Sequence, residues 1–108
     1  MVTDLEAVNQ AVNDYVADVM RVMPIDKAFL YGSFTKGTNN DSSDVDICFF
    51  SSDFEHRRTV DVLTQLIKLT RIYRDIDIEP RAFPTSAIEA DNPFVKEVLR
   101  TGREIALI

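Results

Sequence analysis

Two short apolar runs, Lys27–Tyr31 (KAFLY) and Val45–Phe50 (VDICFF), are separated by a stretch rich in Gly, Ser, Thr and Asn from Gly32 to Ser43. Runs this short, ended by turn residues, read as buried β-strands joined by a loop. The flanking segments supply the helices that such strands need. Leu5, Val8, Val12, Val16, Val19 and Met23 recur at steps of three and four, one face of an amphipathic helix over Asp4–Val22. Thr3 with Glu6 fits a capping box, and Pro24 fits the exit.

Downstream, Ser52 with Glu55 suggests a second capping box. Val60, Leu63, Leu66, Ile67 and Thr70 continue at helical spacing to about Tyr73. Ile76–Phe83 (IDIEPRAF) alternates apolar and charged residues as a half-buried strand does, and Pro80 points to a sheet edge. Asn92-Pro93 reads as an N-cap followed by proline at the first helical position, with Gly102 as the stop. Arg103–Ile108 fits a last short strand. These elements predict a single α/β domain over residues 1–108, with a mixed central sheet and helices mainly on one face.

The 108 residues, 45% of them hydrophobic, suffice for one folded domain with a modest core. A net charge of -6 argues against direct nucleic-acid binding and against an anionic membrane surface. No stretch approaches the ~20 apolar residues of a membrane span. The acidic start has no basic n-region, so no signal peptide is expected. One cysteine, Cys48, cannot form an internal disulfide, which suits a cytoplasmic setting. On its apolar strand Cys48 reads as core, and His56, among Glu55, Arg57 and Arg58, as a surface residue. Arg71, Arg74 and Arg81 read as scattered surface charges or a basic patch for a partner; Tyr31 and Tyr73 carry no role at this level.

The chemistry-bearing segment is Gly32-Ser33-Phe34-Thr35-Lys36-Gly37, then a polar loop, then Ser43-Asp44-Val45-Asp46-Ile47. Asp44 and Asp46, two apart at a strand head, share a face. Carboxylates that close are held together cheaply only by a cation. Hard divalent ions such as Mg²⁺ take oxygen ligands and share them with substrate phosphates, and a pair of ions activates the attacking oxygen and neutralises the leaving one. A strand ending in Gly32-Ser33 lets backbone N–H groups and a hydroxyl approach phosphate oxygens, and Lys36 adds a positive charge. Asp46, flanked by Val45, Ile47 and Cys48, should be partly buried and needs a partner. Asp75, Asp77 and Glu79 share one face of the later strand; Asp77 and Glu79 fit a third carboxylate or a solvated edge.

GSFTKG…SDVDI resembles the signature of the DNA polymerase β-like nucleotidyltransferases, in particular its minimal form. The resemblance covers nearly the whole chain. It implies that Ser33 binds the triphosphate beside Gly32 and Lys36, that Asp44 and Asp46 hold metal, and that Asp77 or Glu79 completes the site, with Asp77 a further metal ligand. It implies two Mg²⁺ ions, ATP as substrate and transfer of AMP to an acceptor. Minimal nucleotidyltransferases are often paired with a small helical HEPN-type protein and act on it as the antitoxin. Two alternatives stand beside this: an antitoxin that works by contact alone, and a homodimeric enzyme acting on a small molecule of the antibiotic type.

Overall fold

The computed structural model describes residues 5–32, 44–74 and 76–107. In chain order the elements are α1 (Leu5–Val22), β1 (Lys27–Tyr31), β2 (Asp44–Phe50), α2 (Thr59–Leu69), β3 (Asp77–Phe83), α3 (Pro93–Thr101) and β4 (Arg103–Glu104). The four strands form one mixed sheet in the order β3-β2-β1-β4. β1 runs antiparallel to β2 and β4, and β2 parallel to β3. Pro80 therefore lies on an edge strand, where its missing N–H costs no ladder bond.

Each strand alternates between two differently covered faces. Ala28, Leu30, Val45, Ile47, Phe49 and Ile78 are buried against α1 and α2, through Val8, Val12, Tyr15, Val16, Val19, Val62 and Leu66. On the other face Phe29, Cys48 and Phe50 are buried against Ala87, Val95 and Val98, from α3 and the 3-10 turn before it. α3 covers only the far half of that face. Toward the Asp44 end the face carries the acids instead.

Local signals were obeyed unevenly. Asn92 caps α3 as its sequence suggests, its side chain accepting from Phe94 N and Val95 N at 2.9 and 3.2 Å. The Ser52–Glu55 box does not start a long helix. Ser51 caps a separate 3-10 turn, Ser52–His56, by accepting from Asp53 N, and α2 begins only at Thr59 without a side-chain cap. The helical spacing after Leu69 ends in a 3-10 turn at Thr70–Ile72. Gly102 stops α3 in extended backbone (φ -79°) rather than a left-handed cap. Space is what requires glycine there: a Cβ would stand 2.5 Å from the Val98 carbonyl oxygen and 3.0 Å from that of Leu30. Thr3 of the first capping box lies outside the described residues. Cys48 is a free, fully buried thiol whose pKa burial pushes up to about 12, as expected of core.

The end of the sheet away from the acids is tied down by polar contacts. Asp26, just before β1, accepts from Ser52 N at 2.9 Å and from the Thr85 hydroxyl at 2.6 Å. Ser51 N donates to Phe83 O, and Thr85 N to Ser51 O. The Thr85 hydroxyl first, then the Ser52 amide, hold the exposed Asp26 carboxyl below its ordinary pKa. A lowered folded pKa gives stability that is present above the usual carboxylate range and lost as pH falls through it. Asp26→Asn should therefore be less stable than the wild type at neutral pH, with the gap closing under acid; urea melts from neutral pH down to about pH 3 check this. On the other face of the sheet, the buried Tyr15 hydroxyl donates to Leu66 O at 2.8 Å, a carbonyl in the last turn of α2 where intrahelical partners run out. Tyr15→Phe should cost about 1 kcal/mol in the same melts.

Candidate active site

The register between β2 and β3 sets the acids side by side. Asp44 pairs with Asp77 and Asp46 with Glu79, while Val45, between them, pairs with Ile78. Alternation then sends Val45, Ile47 and Ile78 into the α1–α2 core and leaves Asp46, Asp77 and Glu79 on the opposite face. Asp46 is half-buried; Asp77 and Glu79 are exposed. All three are engaged in contacts of their own. Asp44 stands at the head of β2, at the position opposite Asp77.

Gly32 closes the site from β1. It has φ +90°, a left-handed backbone that glycine adopts freely. A Cβ on it would fall 2.4 Å from Asp46 Oδ2, so the missing side chain is what lets the chain turn off β1 directly against the Asp46 carboxylate. Tyr31, just before it, pairs with Asp46 across the β1–β2 ladder. The Tyr31 hydroxyl has its pKa pushed up to about 12 by burial first and then by the Asp46 charge, against the opposing help of Arg81. It remains a phenol at any physiological pH.

The donor set on this face is all oxygen, which suits a hard divalent cation. Among the described residues no three His, Cys, Asp or Glu side chains are gathered as a ready metal site. Ser33 and Lys36, expected at the triphosphate, and Asp75, expected on the face of Asp77 and Glu79, lie outside the described residues. His56 is exposed at the distant 3-10 turn, away from the acids, in line with a surface role.

The family model for polymerase beta nucleotidyltransferases matches residues 16–107. The chain belongs to this nucleotidyltransferase family. The match spans both strands that carry the acids and the Gly32 turn that precedes them. A chain from a crystal structure of a toxin-antitoxin with AMP-PNP is similar in fold, with a TM-score of 0.58 at 16% sequence identity, over 84% of this chain and 69% of that one. No curated protein sequence matches the chain. Among the described residues no helix is long and apolar enough to cross a membrane.

Sequence reasoning passed over two residues of this nucleotidyltransferase's acid-bearing face. Arg81 is not part of a patch with Arg71 and Arg74, which are exposed just after α2; it stands opposite Cys48, on the side of β3 that carries Glu79. Tyr31 reaches the same region from β1. Arg81 was marked only by parity, two residues after Glu79, and Tyr31 only by its place just before the Gly32 turn.

Gly32→Ala should force both the backbone and the Asp46 carboxylate to move. The left-handed φ alone costs ~1–2 kcal/mol for a residue with a Cβ. Urea denaturation should show that loss, and nucleotidyl transfer should fall at least tenfold because Asp46 is displaced.

Proposed function

We propose that this domain transfers AMP from ATP to an acceptor, and that the acceptor is a small helical HEPN-type partner which the domain neutralises as its antitoxin. One observation carries the reading: in a chain of the nucleotidyltransferase family, the β2–β3 register sets Asp44 opposite Asp77 and Asp46 opposite Glu79, beside a glycine turn that admits no side chain. The likeness to a toxin-antitoxin structure with AMP-PNP supports the choice of nucleotide and the kind of partner. The buried free thiol of Cys48 is in keeping with a reducing, cytoplasmic setting.

In this reading Gly32 and Ser33, with Lys36, hold the triphosphate end through backbone N–H groups, a hydroxyl and an ammonium. Asp44, Asp46 and Asp77 would hold Mg²⁺, two ions in the full site, which supplies charge neutralisation at the phosphates and the leaving group. The acceptor oxygen attacks the α-phosphorus; its bond to phosphorus forms as the bond to the pyrophosphate oxygen breaks. The acceptor's proton passes to a carboxylate of β3, Asp77 or Glu79, and pyrophosphate departs. Both acids are exposed and so open to an incoming acceptor.

Asp46→Asn keeps the shape and removes the charge. Transfer should fall by orders of magnitude, at ~1.4 kcal/mol of barrier per tenfold, while the fold persists or gains stability as repulsion between acids is relieved. Intact-mass analysis of the co-purified partner after adding ATP and Mg²⁺ reads the added nucleotide directly. If Asp46→Asn protects cells from the partner as well as wild type does, the protein works by contact alone.

A further inference from the structure

The acid-bearing face of the sheet is bounded at both ends. At one end the chain leaves after Gly32 and returns at Asp44; at the other α3 lies over Phe29, Cys48 and Phe50. Between them stands a cluster drawn from three elements, with Tyr31 level with Asp46 and Arg81 one same-face row beyond the acids. Arg81 is two residues past Glu79 on β3, about 6.6 Å along the strand. Its guanidinium lies over the Phe94 ring, at the start of α3, 5.5 Å from the centroid. Phe94 meets Tyr31 edge-on at 5.5 Å and Phe83 at 5.7 Å, which fixes its ring. Phe94 is nonetheless 37% exposed, and Arg81 is exposed, so the cluster is an open ledge and not core.

We propose that Arg81, Phe94 and Tyr31 form the nucleobase subsite, a ledge on which the base of the bound nucleoside triphosphate stacks. The proposal rests on the nucleotidyltransferase reading above. With the β- and γ-phosphates at the Gly32 end and the α-phosphorus at the acids, the nucleoside continues along the open face toward α3. There it meets a planar cation already seated on an aromatic ring. Guanidinium and aromatic planes bind bases of any kind through their π-faces. The N–H fork of Arg81 and the Tyr31 hydroxyl add donors for acceptors on the base edge. Neither β2 nor β3 carries another cation. A purine, with two rings, covers more of such a ledge than a pyrimidine, so ATP and GTP should bind more tightly than CTP and UTP.

Calorimetry on the full chain with Mg²⁺ tests this, using ATP, CTP and inorganic tripolyphosphate as ligands. Phe94→Ala removes the ring, and Arg81→Lys keeps the charge while losing the plane. Each variant should weaken ATP on the order of tenfold and leave tripolyphosphate within about twofold, and the preference for ATP over CTP should shrink. Arg81→Lys alters only an exposed head group, so it reports even where Phe94→Ala perturbs α3. Equal weakening of ATP and tripolyphosphate would make the cluster a phosphate site and overturn the proposal. Unchanged ATP affinity in both variants would overturn it too, leaving the triphosphate site intact. A wild-type chain that binds neither ligand would overturn the nucleotide reading and the subsite with it.

Discussion

The parallel pairing of β2 with β3 is the constraint on which both core and site depend. Each strand has to be apolar on the α1–α2 face along its whole length, as Val45, Ile47, Phe49 and Ile78 are. A slip of one residue would turn Asp46 and Glu79 into that core, where unpaired carboxylates are very costly, and put Val45 and Ile78 into water. The hydrophobic alternation that stabilises the sheet is thus the same alternation that lines up the acids. Positioning of the site comes from core burial, and it asks nothing of the acids themselves, which by charge alone would move apart.

The second face is divided. Cys48 and Phe50 follow Asp44 and Asp46 at the same parity on β2, and Arg81 and Phe83 follow Asp77 and Glu79 on β3. The far half is sealed by α3 and locked by the Asp26, Ser51 and Thr85 hydrogen bonds. The near half stays open. The division has a use: packing at one end fixes the strands, so the other end can carry like charges without the sheet splaying. The cost of crowding carboxylates is met by several buried aromatic and aliphatic groups below them.

Much of this was legible in the chain. β1 and β2 announced themselves as short apolar runs, the edge position of β3 followed from Pro80, and Asn92-Pro93 marked the start of α3. The same parity that made Asp46 and Asp44 neighbours made Asp77 and Glu79 their candidates. What stayed hidden depended on tertiary contacts. The Ser52–Glu55 pair has the sequence of a helix start, yet Ser52 N is taken by Asp26, a residue 26 positions away, and the turn closes as a 3-10 element instead. Gly102 looked like a left-handed cap, yet its reason is the crowding of Leu30 and Val98 carbonyls around it. Local pattern cannot register a partner that arrives from another strand.

Arg81 shows the same limit from the functional side. In sequence it is one arginine among Arg71, Arg74 and Arg81, in a chain with a net charge of -6. The fold separates it from the other two by putting it on the acid-bearing face, with Phe94 of α3 beneath its guanidinium. A cation beside acidic groups is drawn toward them; a ring beneath the guanidinium gives it a second seat, one residue row away. The aromatic contact thereby fixes where a positive group stands beside the acids. Phe94 meets Tyr31 edge-on and Phe83 at a tilt, so the seat is part of the packing of α3 against the sheet. The element that seals the far half of the face is then also the one that shapes the boundary of the near half, and substitutions under α3 should be felt at the site through Phe94 before they are felt through the acids.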